Sequence, residues 1–337
     1  MASATRTTLL GTAACAALTA GMLAGPGVAI AAPGPVAGPS SGILHHTIPA
    51  DSATAAAAAW TPARMHAATT NRFVDEDPAD GDPPATATDT PAALDTSAVV
   101  APAAVADLDE TTAVPGFAEA DHLGVVFFRS GGVDQRCTGN AVVSRSGDLV
   151  ATSGRCVSAL EDAFVSELVF VPGYDGTAPE GVWAATAVTV QSRWVTDRAV
   201  DLDSAFLQVR APAGAAAGAT LSSTVGASGV LFAGQEDDDE YRASGYALDG
   251  GHDGTQVVDV VSTVEPNPWA NEDYAIEGIG TELRAGISGS PWRATEDGSG
   301  DVQRGMTTFA YHQFTHAAFG PQWTSTLHDT YRAAAAS

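Results

Sequence analysis

From Phe117 onward the chain repeats one pattern: short runs of β-branched and aromatic residues cut by turn residues. The runs are Leu123 to Phe128, Ala141 to Ser144, Leu149 to Thr152, Leu168 to Val171, Ala187 to Val190, Ala205 to Val209, Val230 to Phe232, Val257 to Val261 and Met306 to Tyr311. Ser130-Gly131-Gly132, Ser146-Gly147-Asp148 and Pro172-Gly173-Tyr174-Asp175-Gly176 punctuate them. Many short strands at this spacing predict an all-β sandwich or barrel. The end of the chain differs. Gln322 to Ala336 is rich in helix formers, with Trp323, Leu327 and Tyr331 four apart on one face, which predicts a terminal helix. Residues 117–337 thus read as one domain of strands ending in a helix.

The chain before Phe117 has another texture. Residues 32–116 hold 11 of the 19 prolines and a charge of −9, with one Trp and one Phe. Such composition buries too little apolar surface to offset the entropy of ordering, so the segment reads as a pro-segment or linker, disordered on its own. Short apolar pieces such as Ala53 to Trp60 can form a helical turn or two, which leaves a structured pro-segment as the alternative. Residues 1–31 carry one charge, Arg6, then an uncharged Ala/Leu/Gly-rich stretch ending in Ala29-Ile30-Ala31. That is the layout of an export signal with a small-x-small cleavage site. A membrane anchor fits less well, because Gly21, Gly25, Pro26 and Gly27 interrupt the apolar run. Export places the domain in an oxidising compartment, where Cys137 and Cys156 read as a disulfide and not as a zinc site.

Forty acidic and 15 basic residues, every basic one an Arg, give a net charge of −25. A chain so acidic lacks the basic footprint of a nucleic-acid binder and is repelled by anionic membrane surfaces. The run Glu236-Asp237-Asp238-Asp239-Glu240 lacks the alternating oxygens and Gly of a calcium loop, and reads as a solvated loop. No cofactor or metal is expected.

Three motifs carry chemistry. Gly286-Ile287-Ser288-Gly289-Ser290-Pro291 sets a Ser on a tight turn where the Gly286 and Ser288 amides can form an oxyanion hole. Val200-Asp201-Leu202-Asp203-Ser204-Ala205 puts an acid at the head of an apolar strand, where it either orients a base or faces a solvated turn. Thr152-Ser153-Gly154-Arg155-Cys156 follows another strand, with Cys137-Thr138-Gly139 upstream. In order and spacing these resemble the trypsin-like (chymotrypsin-fold) serine peptidases, more narrowly the secreted bacterial branch that includes the glutamyl endopeptidases. Phe170-Val171-Pro172-Gly173-Tyr174, Gly181-Val182-Trp183, Gly245-Tyr246 and Phe319-Gly320-Pro321 extend the resemblance over about 120 to 335. It implies two six-stranded antiparallel β-barrels with a C-terminal helix, Ser288 as nucleophile and Asp203 as orienting acid. It also implies a specificity pocket involving Thr307, Thr308 and Glu282, the last either a pocket floor favouring a cationic side chain or a solvated residue.

One position departs. Where the family carries its base His, this chain has Arg155. A guanidinium offers five donors, no acceptor and a pKa above about 12, so it cannot take the Ser proton. Arg155 either pairs with Asp203 or turns outward to solvent. Other histidines are poorly placed by sequence: His45, His46 and His66 precede the domain, His122 precedes the first strand, and His252 lies in a Gly/Asp turn. His328 is on the terminal helix, and His312 and His316 follow the strand that by resemblance walls the substrate pocket. The leading expectation is a secreted, inactive peptidase homologue that binds a peptide or protein. An active endopeptidase with an unidentified base and an acidic cell-envelope structural protein are the alternatives.

Overall fold

The apolar run of Leu123–Ser130 has no alternation, and a strand of that kind must be covered on both faces. Val126 and Phe128 point into one core with Phe170, Val150 and Leu207. Leu123, Val125 and Phe127 point into a second, with Val169, Val171, Tyr174, Trp60 and Met65. The second cover comes from the chain ahead of the domain.

The computed structural model describes residues 42–70, 74–75, 97–100, 108–158, 164–233, 240–268, 275–294 and 301–336, the two shortest segments as backbone. All of them fall within one compact unit. The signal-like segment 1–31 and most of the acidic run, 236–239, lie outside the described residues.

Six antiparallel strands form the first barrel: Leu123–Ser130, Val133–Val142, Leu149–Thr152, Ser166–Pro172, Trp183–Gln191 and Ala205–Arg210. Ala205–Arg210 pairs with both Leu149–Thr152 and Trp183–Gln191, which closes the sheet. The second sheet is ordered Val302–Met306, Pro291–Ala294, Glu240–Gly245, Val258–Pro266, Ile276–Gly280, Ala317–Pro321, all antiparallel. Single bridges Gly305–Gln322 and Phe309–Phe319 join its ends. The run Met306 to Tyr311 divides into Val302–Met306 and a two-residue strand, Ala310–Tyr311. Val230 to Phe232 shrinks to Gly229–Val230, parallel to Val302–Met306.

The terminal helix, Ser325–Ala335, buries Leu327 and Tyr331 completely. Trp323, just before it, is also fully buried against Phe206. Each such side chain contributes about 1.5–3 kcal/mol by leaving water.

The described residues within 32–116 form strands and helices on the barrel. Ile43–Thr47 adds antiparallel to Trp183–Gln191, and Ser97–Val100 adds to Ile43–Thr47 in turn. The strand Ser166–Pro172 pairs with Trp183–Gln191 only at Val169 and Phe170, so Ile43–Thr47 takes the edge it leaves. A helix at Ala50–Ala59 follows, then a shorter one at Pro62–Ala67 that starts on Thr61 with Pro62 in its first turn. The physical reason is borrowed cover: the segment has no core of its own, yet Trp60, Met65 and Ala56 complete one already half built by the barrel.

Candidate functional site

The strand Leu149–Thr152 ends in a tight turn, Gly154–Cys156, whose Cys156 is disulfide-bonded to Cys137 on the neighbouring strand. This turn carries Arg155. A second such turn, Val200–Leu202, delivers Asp203 at the head of Ala205–Arg210. Because Ala205 pairs with Thr152, the two turns sit side by side.

Arg155 takes the inward orientation. Its Nε donates to Asp203 Oδ2 at 2.5 Å, its backbone amide donates to Asp203 Oδ1 at 2.9 Å, and the Ser153 hydroxyl donates to Oδ1 at 2.7 Å. Both partners are buried, Arg155 at 1% exposure and Asp203 at 0%. The guanidinium lies 5.6 Å from the Trp194 ring centroid and 5.4 Å from that of Phe309. Arg198 stands over the same Trp194 ring at 5.4 Å and donates to Ser158. Burial lowers the Arg198 pKa, Asp203 raises it and Arg155 lowers it again, the net being downward. Asp201, within the Val200–Leu202 turn, has its pKa raised by burial against the pull of Arg193.

Ser288 comes from the second sheet. Its loop requires glycine on both sides: Gly286 and Gly289 hold φ of +87° and +90°. A Cβ on Gly286 would run into the Tyr246 carbonyl oxygen, and one on Gly289 into that of Thr138. The Cys137-Thr138-Gly139 motif fixes this loop from the first barrel. Thr138 donates from its amide to Ser288 O at 2.8 Å and from its hydroxyl to Gly286 O at 3.0 Å. Among the described residues the Gly286 and Ser288 amides donate to no protein acceptor. The Ser288 hydroxyl, half-buried, donates to the Thr308 carbonyl at 2.9 Å.

Of the residues read as a specificity pocket, Thr307 lines a small cavity with Thr281, Leu283, Ile287 and Ser290. Thr307 is buried and its hydroxyl accepts from Trp292 Nε1 at 2.8 Å, inside the second sheet. Thr308 is fully buried, its amide bonded to Phe319 O. Both side chains are turned away from solvent. Glu282 is exposed. Beside it Arg284 spans the loop, donating to Ala317 O and Phe314 O at 2.5 Å each, while Asp249 accepts from the Arg284 and Ala285 amides.

Among the described residues no His ring is hydrogen-bonded to Ser288 or Asp203. His122 is held by Val225 O and Asp301, His328 by Glu110, and His45 by Thr189. His46 stacks on Phe164, and His312 and His316 are exposed. No group of three or more His, Cys, Asp or Glu among the described residues is placed to hold a metal ion. None of the described helices is long and apolar enough to cross a membrane. Sequence reading missed Trp194, Phe309 and Arg198 around Arg155, and the Thr308 carbonyl as partner of Ser288. Trp194 had a usable signal, a large aromatic shortly before the Asp203 motif.

Asp203 lies against a donor-only side chain, and the Ser288 proton points at a carbonyl that cannot carry it away. Among the described residues, the hydrogen-bond partners of the Asp203 carboxylate and the Ser288 hydroxyl are thus groups other than an imidazole.

No protein-family model and no curated protein matches the chain. Solved structures do. The protease Anisep from Arthrobacter nicotinovorans is 29% identical, with a TM-score of 0.59 over 67% of this chain and 99% of that one. The thermostable serine protease AL20 from an extremophilic microorganism is 28% identical, with a TM-score of 0.58 over 65% of this chain and 99% of that one. A Glu endopeptidase in complex with MPD is 20% identical, with a TM-score of 0.50 over 67% of this chain and 96% of that one. These neighbours are trypsin-like serine proteases, and the chain has their chymotrypsin-like fold, a closed six-stranded barrel, a second sheet and a C-terminal helix.

Proposed function

We propose that this chain is an exported, catalytically inactive homologue of the trypsin-like serine proteases that binds a peptide or protein ligand. The observation that carries the reading is the buried Arg155–Asp203 pair, with the Ser288 hydroxyl donating to a backbone carbonyl. Loss of the base from a Ser-His-Asp triad costs on the order of 10⁶ in kcat. What remains, an oxyanion hole and a binding surface, retains peptide affinity without turnover. Export rests on the charged-then-apolar layout of residues 1–31 and agrees with the Cys137–Cys156 disulfide.

An active-site-directed fluorophosphonate tests it. The purified chain is expected to leave Ser288 unlabelled. Stoichiometric labelling would overturn the inactive reading and return the chain to the active peptidases. The Arg155→His variant is expected to label, since Asp203, Ser288 and the two glycines are otherwise retained. A variant that stays inert favours a vestigial site in a structural protein.

A further inference from the structure

The segment holding the Ser288 hydroxyl through Thr308 O continues directly into Ala310–Tyr311. A short strand like this presents backbone donors and acceptors along its edge, the feature to which extended peptides add as an extra strand. Here the edge has a strand on it. Val74 pairs with Ala310 and Asp75 with Tyr311, in parallel. We propose that the chain's own N-terminal arm fills the peptide-accepting edge of the site, so that an extended peptide ligand must displace Val74–Asp75 to bind. This rests on the peptide-binding reading above and names what regulates it.

The arm is moored just upstream. Thr69 and Thr70 pair in parallel with Gln135 and Arg136 on the first barrel. Arg64 grips Asp134 with two bonds of 2.7 Å and Glu167 with one of 2.5 Å, and lies 3.9 Å from the centroid of the Trp60 ring. Trp60 in turn donates to Glu167 O at 2.7 Å. Glu167 has a φ of +51°, a left-handed conformation that costs a non-glycine residue about 1–2 kcal/mol. The arm's contacts to both its carbonyl and its carboxylate offset that cost. Four residue steps then lead from Thr70 to Val74, at most about 14 Å of chain. So short a tether holds the pairing partner at an effective concentration in about the millimolar range. An outside peptide binds only the fraction of molecules whose arm is off the edge, and its apparent affinity falls by that fraction.

Two measurements on the full chain decide the matter. In Val74→Cys/Ala310→Cys the paired residues fall within disulfide reach, and peptide mapping is expected to find a 74–310 cross-link. Its absence overturns the proposal. Val74→Pro/Asp75→Pro removes two strand donors while leaving both barrels untouched. A fluorescein-labelled peptide of residues 71–78 is expected to bind this variant roughly 100-fold more tightly than the unchanged chain. Equal binding, or binding to neither, overturns the proposal. Fluorophosphonate labelling of the proline variant would instead defeat the inactive reading while leaving the arm's position standing.

Discussion

Two carboxylates in this molecule face opposite partners. Asp203 is bound by Arg155, which on the proposed reading stands where a peptidase needs an imidazole. Asp301, at the start of Val302–Met306, is bound by His122 at 2.5 Å, by the Ser228 hydroxyl at 2.6 Å and by Arg293 at 3.4 Å. Ser, His and Asp are thus all in contact at the second place, but in the wrong order. The acid lies between the other two, and both His122 nitrogens are committed, Nδ1 to Val225 O at 2.8 Å. A proton on Ser228 has no ring nitrogen to go to. The difference teaches that a triad is a sequence of contacts and not an inventory: on the proposed reading the Ser288 loop lacks its base, and the second cluster has the residue types without the relay.

The largest effect expected is at the cleft. Asp203→Ala leaves the Arg155 guanidinium buried without its carboxylate, a loss of about 3–5 kcal/mol in stability, read as a drop in the urea midpoint at unchanged slope. A loss below about 1 kcal/mol would mean that Arg155 escapes to solvent, and the contrast with the second cluster would collapse.

Asp301→Asn is expected to cost less, about 2–3 kcal/mol at neutral pH, because it weakens charge-assisted bonds without orphaning a buried cation fully. Its signature is in the pH profile. Burial works to raise the Asp301 pKa, yet the bond and charge of His122, the Ser228 hydroxyl and Arg293 outweigh it, so the carboxyl sits below its ordinary 3.8. The folded state therefore gives up this proton more readily than the unfolded one. The stabilisation is fully present above the unfolded value and is lost as pH falls through the lower folded one. Denaturant melts from pH 6 down to pH 2 should show the variant losing less stability on acidification than the parent chain.

The contrast also marks what a sequence reveals. The Ser288 loop was legible because its geometry is a backbone property: glycines at fixed offsets leave few alternatives. Arg155 was legible because Cys156 and Gly154 frame it. The Asp301 cluster was not, since His122, Ser228 and Asp301 are scattered along the chain and meet only when the two sheets pack. The same holds for the fold. The apolar runs of the first barrel announced themselves, whereas Ile276–Gly280 and Ala317–Pro321, carrying Gly, Ala and Pro, have little β propensity and are strands by virtue of their neighbours. Residues 42–70, beyond the helical piece Ala53 to Trp60, were read as disordered on their own because composition measures the core a segment owns, and not the one it completes. The unbroken apolar run Leu123 to Phe128 was the clue, as it demanded a cover from somewhere.

The smallest effect expected sharpens the comparison most. Ser228 is fully buried, donates to Asp301 and accepts from Asn140 at 3.0 Å, so Ser228→Ala removes two buried hydrogen bonds from groups that keep other partners and should cost about 1 kcal/mol. Ser288 is half-buried and makes one hydrogen bond, to the Thr308 carbonyl, so Ser288→Ala should change stability by no more than about 0.5 kcal/mol. A serine retained on a strained glycine turn for packing would show the reverse order. Chemical denaturation of the two variants side by side makes the comparison. A larger loss at position 288 than at 228 would place Ser288 in the structural network and weigh against the proposed ligand-binding role.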